Sequence, residues 1–271
     1  MKNLKCLFDI DTLYLSMVRM ICIIAAMIIF FPSVCRAEDL VSKILLEMEK
    51  RQELGCDLTA KVSLIEQRAR QGVRQHDYIY YRRDADDAFL LVTVSPDREK
   101  GNGYLRVEGN LWMYRQNTRT FQHLSRGDKI DDTEISAESF ENRKLTELYG
   151  PVTDKDGAEI YSEEMLGEIP VYRFEIKAKV KDVSYPRHIY WVRRDNYLLL
   201  KQNSYSLSDT LMETGYFLKY TQIENRYIPL KFMVVDQFEQ GNKTIGEISG
   251  ISLKPIDDTV FTKAYLENLS K

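Results

Sequence analysis

The side chains best suited to chemistry are three histidines, His76, His123 and His188, and the cysteine Cys56. Each histidine sits in a separate extended run with no second ligand type at metal-binding spacing, so a zinc site would need distant runs to converge. Cys56 lies where a helix gives way to a strand and has no neighbouring base to draw off its proton, which reads as a small packing residue. Gly246-Glu247-Ile248-Ser249-Gly250 places its serine one position too late for a nucleophile elbow. Gly101-Asn102-Gly103 lacks the third glycine and following helix of a dinucleotide loop, and no phosphate-cradling Walker loop is present. The acid pairs Glu163-Glu164 and Asp131-Asp132 fall on polar segments, where adjacent carboxylates serve solubility. These residues assign no catalytic group, no metal ligand and no cofactor, and offer no loop for nucleotide hydrolysis.

The elements that would have to position such groups begin after a leader. Met20 to Phe31 is a nearly unbroken apolar run preceded by Arg19 and followed by Pro32, too short for the ~20 residues that span a bilayer. Residues 1–37 read as a secretory signal peptide cleaved near Ala37, leaving 38–271 as a single domain. A retained anchor and acylation of Cys35 are the alternatives. Three of the four cysteines fall in the leader, so the mature chain has no partner for a disulfide. A net charge of −3 gives no footprint for nucleic acid.

After Asp39, a candidate N-cap, Leu40, Val41, Ile44, Leu45 and Met48 recur at helical spacing. From Leu58 the period changes to two, and strand-like runs follow at 75–83, 88–95, 103–107, 111–115 and 120–125, then at 159–166, 171–180, 187–194, 197–206, 211–223, 227–238 and 243–253. Gly109–Asn110 marks a hairpin turn between two of them. About a dozen antiparallel strands exceed what a flat sheet holds, so the sheet must curl. Residues 126–150 break the rhythm; they read as short helices and loop, either a lid or a plain solvated connection. An amphipathic helix with Val260, Phe261, Ala264, Tyr265 and Leu269 closes the chain.

The runs Phe89-Leu90-Leu91-Val92, Leu111-Trp112-Met113-Tyr114 and Tyr197-Leu198-Leu199-Leu200 are apolar on both strand faces, so something must cover both. Composition leaves open whether the cover is a ligand in an apolar pocket or the protein's own packed core.

Four blocks then carry a family likeness: Gly109-Asn110-Leu111-Trp112-Met113-Tyr114, the stretch from Tyr185-Pro186-Arg187-His188 through Trp191 to Asp195-Asn196-Tyr197, Asn242-Lys243-Thr244, and Val260-Phe261-Thr262-Lys263-Ala264-Tyr265-Leu266. Together, in order and spacing, they resemble the outer-membrane lipoprotein-sorting proteins, the LolA-like family, over nearly the whole mature chain. The resemblance implies a mainly β fold with added α structure. Its strongly curved antiparallel sheet forms an unclosed half-barrel, covered by an N-terminal helix, a mid-chain helical lid and a C-terminal helix.

It further implies a monomeric carrier in the periplasm of a Gram-negative-type bacterium, taking an acylated lipoprotein or lipid from an inner-membrane transporter to an outer-membrane acceptor. Some divergent members look like accessory partners of transporters, so a non-transporting interaction module with a filled core is the alternative. The expected ligand-binding residues are Ile79, Tyr81, Phe89, Leu91, Leu105, Val107, Trp112, Tyr114, Phe174 and Trp191, with the choice of strand face left open. Arg83 matches the basic residue that holds the family's lid shut, although Asp84-Ala85-Asp86-Asp87 follows it where the carrier has proline, which keeps Arg82 in contention. Phe140, in Ser139-Phe140-Glu141, is what remains of the family's lid element.

Overall fold

A computed structural model of the chain describes residues 39–131, 133–140, 143–223 and 226–269, with Gln52 and Phe140 described by backbone alone. The leader expected at 1–37 lies outside the described residues. Among the described residues no helix is long and apolar enough to cross a membrane.

The strands are β1 (Leu58–Arg68), β2 (Gly72–Arg83), β3 (Ala88–Ser95), β4 (Gly103–Val107), β5 (Asn110–Arg115), β6 (Thr120–Leu124), β7 (Tyr149–Pro151), β8 (Tyr161–Leu166), β9 (Ile169–Ala178), β10 (Arg187–Arg193), β11 (Leu199–Tyr205), β12 (Leu211–Ile223), β13 (Arg226–Asp236) and β14 (Lys243–Ser252). They form one 14-stranded antiparallel sheet in the order β6-β5-β4-β3-β2-β1-β14-β13-β12-β11-β10-β9-β7, with β8 paired onto β9. The path does not close, which makes it the unclosed half-barrel that the family resemblance implies. Helices α1 (Leu40–Gln52), α2 (Leu145–Leu148) and α3 (Lys263–Leu269) complete the fold.

Helix α1 buries Val41, Ile44 and Leu45 completely or nearly so against Phe174, Ile176, Tyr190 and Val192 of β9 and β10. Each such side chain contributes about 1.5–3 kcal/mol. Asp39 precedes the helix, but its side chain makes no capping hydrogen bond. The cap comes instead from Glu159, whose carboxylate accepts from the Ser42 amide at 3.0 Å and the Ser42 hydroxyl at 2.6 Å, and also takes the Val41 amide. An anion there also complements the helix dipole.

Two local expectations shift. Val107 pairs with Asn110, so the hairpin turn is Glu108–Gly109, with φ of 53° and 73°, the left-handed pair of a type I′ turn. Residues 126–150 are not strandless, because Tyr149–Pro151 adds β7 to β9 as an edge strand.

Candidate functional site

Strand β3 shows how the sheet uses both faces. Phe89 and Leu91 point to the concave side, into a cluster with Leu64, Tyr78, Tyr104, Met113 and the mid-chain residues Ile130 and Ile135. Ala88, Leu90 and Val92 point the other way, under Val260, Phe261 and Leu266 of the C-terminal segment. The C-terminal helix therefore covers the convex side of the sheet. Gly103 permits the close approach, since a Cβ there would stand 2.5 Å from a Leu266 methyl group.

This alternation divides the residues expected to bind ligand. Phe89, Leu91 and Phe174 lie on the concave face, the first two beneath the mid-chain segment and Phe174 beneath α1. Tyr81, Leu105, Val107 and Tyr114 pack under the C-terminal segment, on the opposite face. Ile79, opposite Val92, shares that face, as does Trp112, whose ring lies 3.3 Å from the Lys263 ammonium. Trp191 is on the convex side of the other half, beside Val171 and Ile189, where its indole N–H donates to Glu164. The ten residues thus do not meet in one site.

The mid-chain segment leaves edge strand β6 and re-enters the sheet at the opposite edge, β7, so it must cross the open side of the half-barrel. Its anchors are polar as well as apolar. The Asp131 carboxylate accepts hydrogen bonds from the hydroxyls of Tyr78 and Tyr104, the latter at 2.7 Å, and the Asp131 amide donates back to the Tyr104 oxygen at 2.9 Å. Burial and that carboxylate push both phenols far above their usual range, so they remain donors at any physiological pH. Glu134 is buried against β1 and β14: Arg68 pairs with it at 2.7 Å, Lys129 pairs with it, and its amide donates to the Thr244 hydroxyl at 2.8 Å. Farther along, Arg126 and Arg143 both bind the backbone carbonyl of Asp182, each at 2.8 Å. Leu145 of α2 then packs into the α1 cluster while Thr146 donates to Glu49.

Arg83, expected at a lid latch, is elsewhere. Its guanidinium pairs with Asp57 at 2.9 Å and Asp258 at 2.6 Å, donates to the Ile256 carbonyl, and lies 4.9 Å from the Phe261 ring centre. The hydrogen bond from Arg83 holds the Asp57 carboxyl below its ordinary range. These contacts tie the end of β2 to the C-terminal segment. The side chain of Phe140 lies outside the described residues.

Between the patch under the lid and the patch under α1, the concave face is neither sealed nor bare. Phe217, Leu230, Phe232, Val234 and Ile248, on β12, β13 and β14, remain half-buried. Phe232 lies flat across Gly246, whose position could not carry a Cβ because the ring would be 2.1 Å away. The glycine of the failed serine motif therefore seats an aromatic ring. The even spacing of Ile228, Leu230, Phe232 and Val234 was the available signal for this strip. A cavity of about 470 Å³ opens beside the lid, and its wall is charged and polar, because the rings of β2 to β5 are already packed against Ile130 and Ile135.

The histidines stay apart. His76 Nε2 is 2.8 Å from Glu99, His123 packs edge-on to Trp112, and His188 is buried beside Ser204. Cys56 packs at the edge of the cluster formed by Leu54, Leu58 and Ile228. Among the described residues no group of three or more His, Cys, Asp or Glu side chains is placed to hold a metal ion.

Solved structures with this architecture include a domain described as that of an outer membrane lipoprotein-sorting protein from Vibrio parahaemolyticus, at 16% identity and a TM-score of 0.71, covering 83% of this chain and 97% of that one. A DUF1329 family protein from Desulfovibrio piger is similar at 19% identity and a TM-score of 0.70, covering 83% and 97%. A LolA superfamily protein from Nitrosomonas europaea follows at 18% and 0.67, covering 82% and 97%. No curated protein matches the chain. A family model described as "-like: Uncharacterized protein" matches residues 85–268. The chain belongs to that family, and its fold is a divergent form of the LolA-like half-barrel.

Proposed function

We propose that this protein is an exported carrier that shelters lipid acyl chains on its concave face while an acylated lipoprotein or lipid moves from the inner to the outer membrane. The half-buried strip of Phe217, Leu230, Phe232, Val234 and Ile248 carries the reading: it is apolar, contiguous across paired strands and lies between two covered patches. Each methylene withdrawn from water there is worth about 0.8 kcal/mol, which suffices to hold a fatty chain without covalent chemistry. The lipoprotein-sorting and LolA superfamily relatives support the same role. In this reading residues 1–37 are a leader, the protein acts in the periplasm as a monomer without catalysis, and a membrane transporter and an outer-membrane acceptor are its partners.

Purification without detergent, followed by mass spectrometry and titration with a fluorescent fatty-acyl probe, tests it. Co-purified lipid or saturable, competable probe binding is expected. Absence of both would favour the second reading, an envelope interaction module, which the dense packing of both covered patches supports.

A further inference from the structure

The cavity beside the lid is built for a different chemistry from the apolar strip. It lies on the concave side of β2, β5 and β6, against residues 128–131 of the lid. Arg74, Arg98, Arg115 and Lys129 line it, opposed by Glu99, Asp128 and Asp131. The carboxylates are committed to nearby donors. Glu99 takes His76 at 2.8 Å and Arg98 at 2.8 Å, Asp128 takes the Ser125 amide at 2.7 Å, and Asp131 takes the hydroxyls of Tyr78 and Tyr104.

Arg115, by contrast, is exposed at the end of β5 and pairs with no carboxylate among the described residues. Across the cavity floor His76 is only 4% exposed, with one ring nitrogen held by Glu99 and the other, Nδ1, without a hydrogen-bond partner. A cavity with an uncommitted guanidinium and a buried imidazole at its wall suits an anion and resists an alkyl chain, which would strip water from the cations and return nothing.

We infer that this cavity binds a phosphate group, borne by a small soluble ester or by a lipid headgroup, with Arg115 as its principal ligand and with Arg98 and Lys129, which also pair with Glu99 and Glu134, beside it. The volume falls within the range of small-molecule sites, and the planar guanidinium fork matches phosphate oxygens in pairs. Because Arg115 belongs to the sheet and Lys129 to the lid, a bound phosphate would fasten one to the other. The inference does not rest on acyl binding, since the anion site and the apolar strip use separate side chains.

Calorimetric titration of the purified protein with inorganic phosphate, and separately with short-chain phosphatidic acid below its micelle concentration, provides the test. Saturable binding of at least one probe is expected, weakened tenfold or more by Arg115→Glu and unchanged by Lys219→Glu, a matched charge reversal on β12. Binding of both probes assigns free phosphate as sufficient, and binding of phosphatidic acid alone assigns a lipid headgroup; either supports the inference. No saturable heat from either probe, or an Arg115→Glu protein that keeps wild-type affinity with an unchanged thermal midpoint, overturns it. Fatty-acyl probe binding measured in the same variants reports on the carrier reading separately.

Discussion

Asp131 and Tyr104 hold each other reciprocally: the tyrosine hydroxyl donates to the carboxylate at 2.7 Å and accepts the aspartate's own amide at 2.9 Å. One bond fixes a side chain and the other fixes the lid backbone, so the pair sets where the segment crosses the sheet.

Asp131→Asn keeps a residue tolerant of the left-handed backbone there, φ 49°, while removing the charge that two phenols serve. Hydrogen bonds to charged groups contribute about 1.5–3 kcal/mol. Amide exchange across 128–137 should accelerate about tenfold or more, with the rest of the sheet unchanged. Protection equal to wild type would show that the apolar contacts of Ile130 and Ile135 hold the lid alone.

Leu91→Glu and Val234→Glu should part company, although both sit on the concave face. Leu91 is 2% exposed beneath the lid, where an unpaired carboxylate costs several kcal/mol and the protein should fail to fold. Val234 is half-buried on the open strip, so its stability loss should stay near about 1 kcal/mol while fatty-acyl probe affinity falls tenfold or more. Urea unfolding and probe titration, read together, check this.

Arg83→Ala should loosen the C-terminal segment. The pair with Asp57 is largely shielded while Asp258 is open to solvent, which points to about 1–2 kcal/mol. Faster exchange is expected at 256–269, with the lid unaffected. Exchange that quickens at 126–148 instead would support the latch role that the family resemblance implies.

His188 gives a pH signature. Burial pushes its imidazole down to about 4, below the ordinary value of about 6.5. The unfolded chain therefore takes up the proton first. This contribution is complete above pH about 6.5 and is lost as pH falls toward about 4, by up to about 3 kcal/mol. His188→Gln should flatten the stability profile in that window; parallel profiles for the two proteins would contradict the assignment.

Much of the architecture was legible because it rests on local periodicity. The change from helical to alternating spacing near Gly55 matches the end of α1 and the start of β1, and the double-sided runs at Phe89 and Leu111 announced a sheet covered on both faces. Which cover lies over which face was not legible, since a strand's alternation separates its faces without saying which one turns inward. Trp112 and Tyr114 therefore looked like ligand contacts and lie under α3 instead. Arg83 is surrounded by acids in sequence, yet its strongest partners, Asp57 and Asp258, come from distant segments that only the fold brings together. The same holds for Asp131, whose phenol partners lie 27 and 53 positions away. Polar contacts between remote residues leave no periodic trace.

The amides that open α1 are satisfied by Glu159, 118 positions downstream of Val41. The clasp on α1 therefore depends on a residue contributed by a distant part of the chain. Until that single acid is in place, α1 lacks the carboxylate that takes its opening amides.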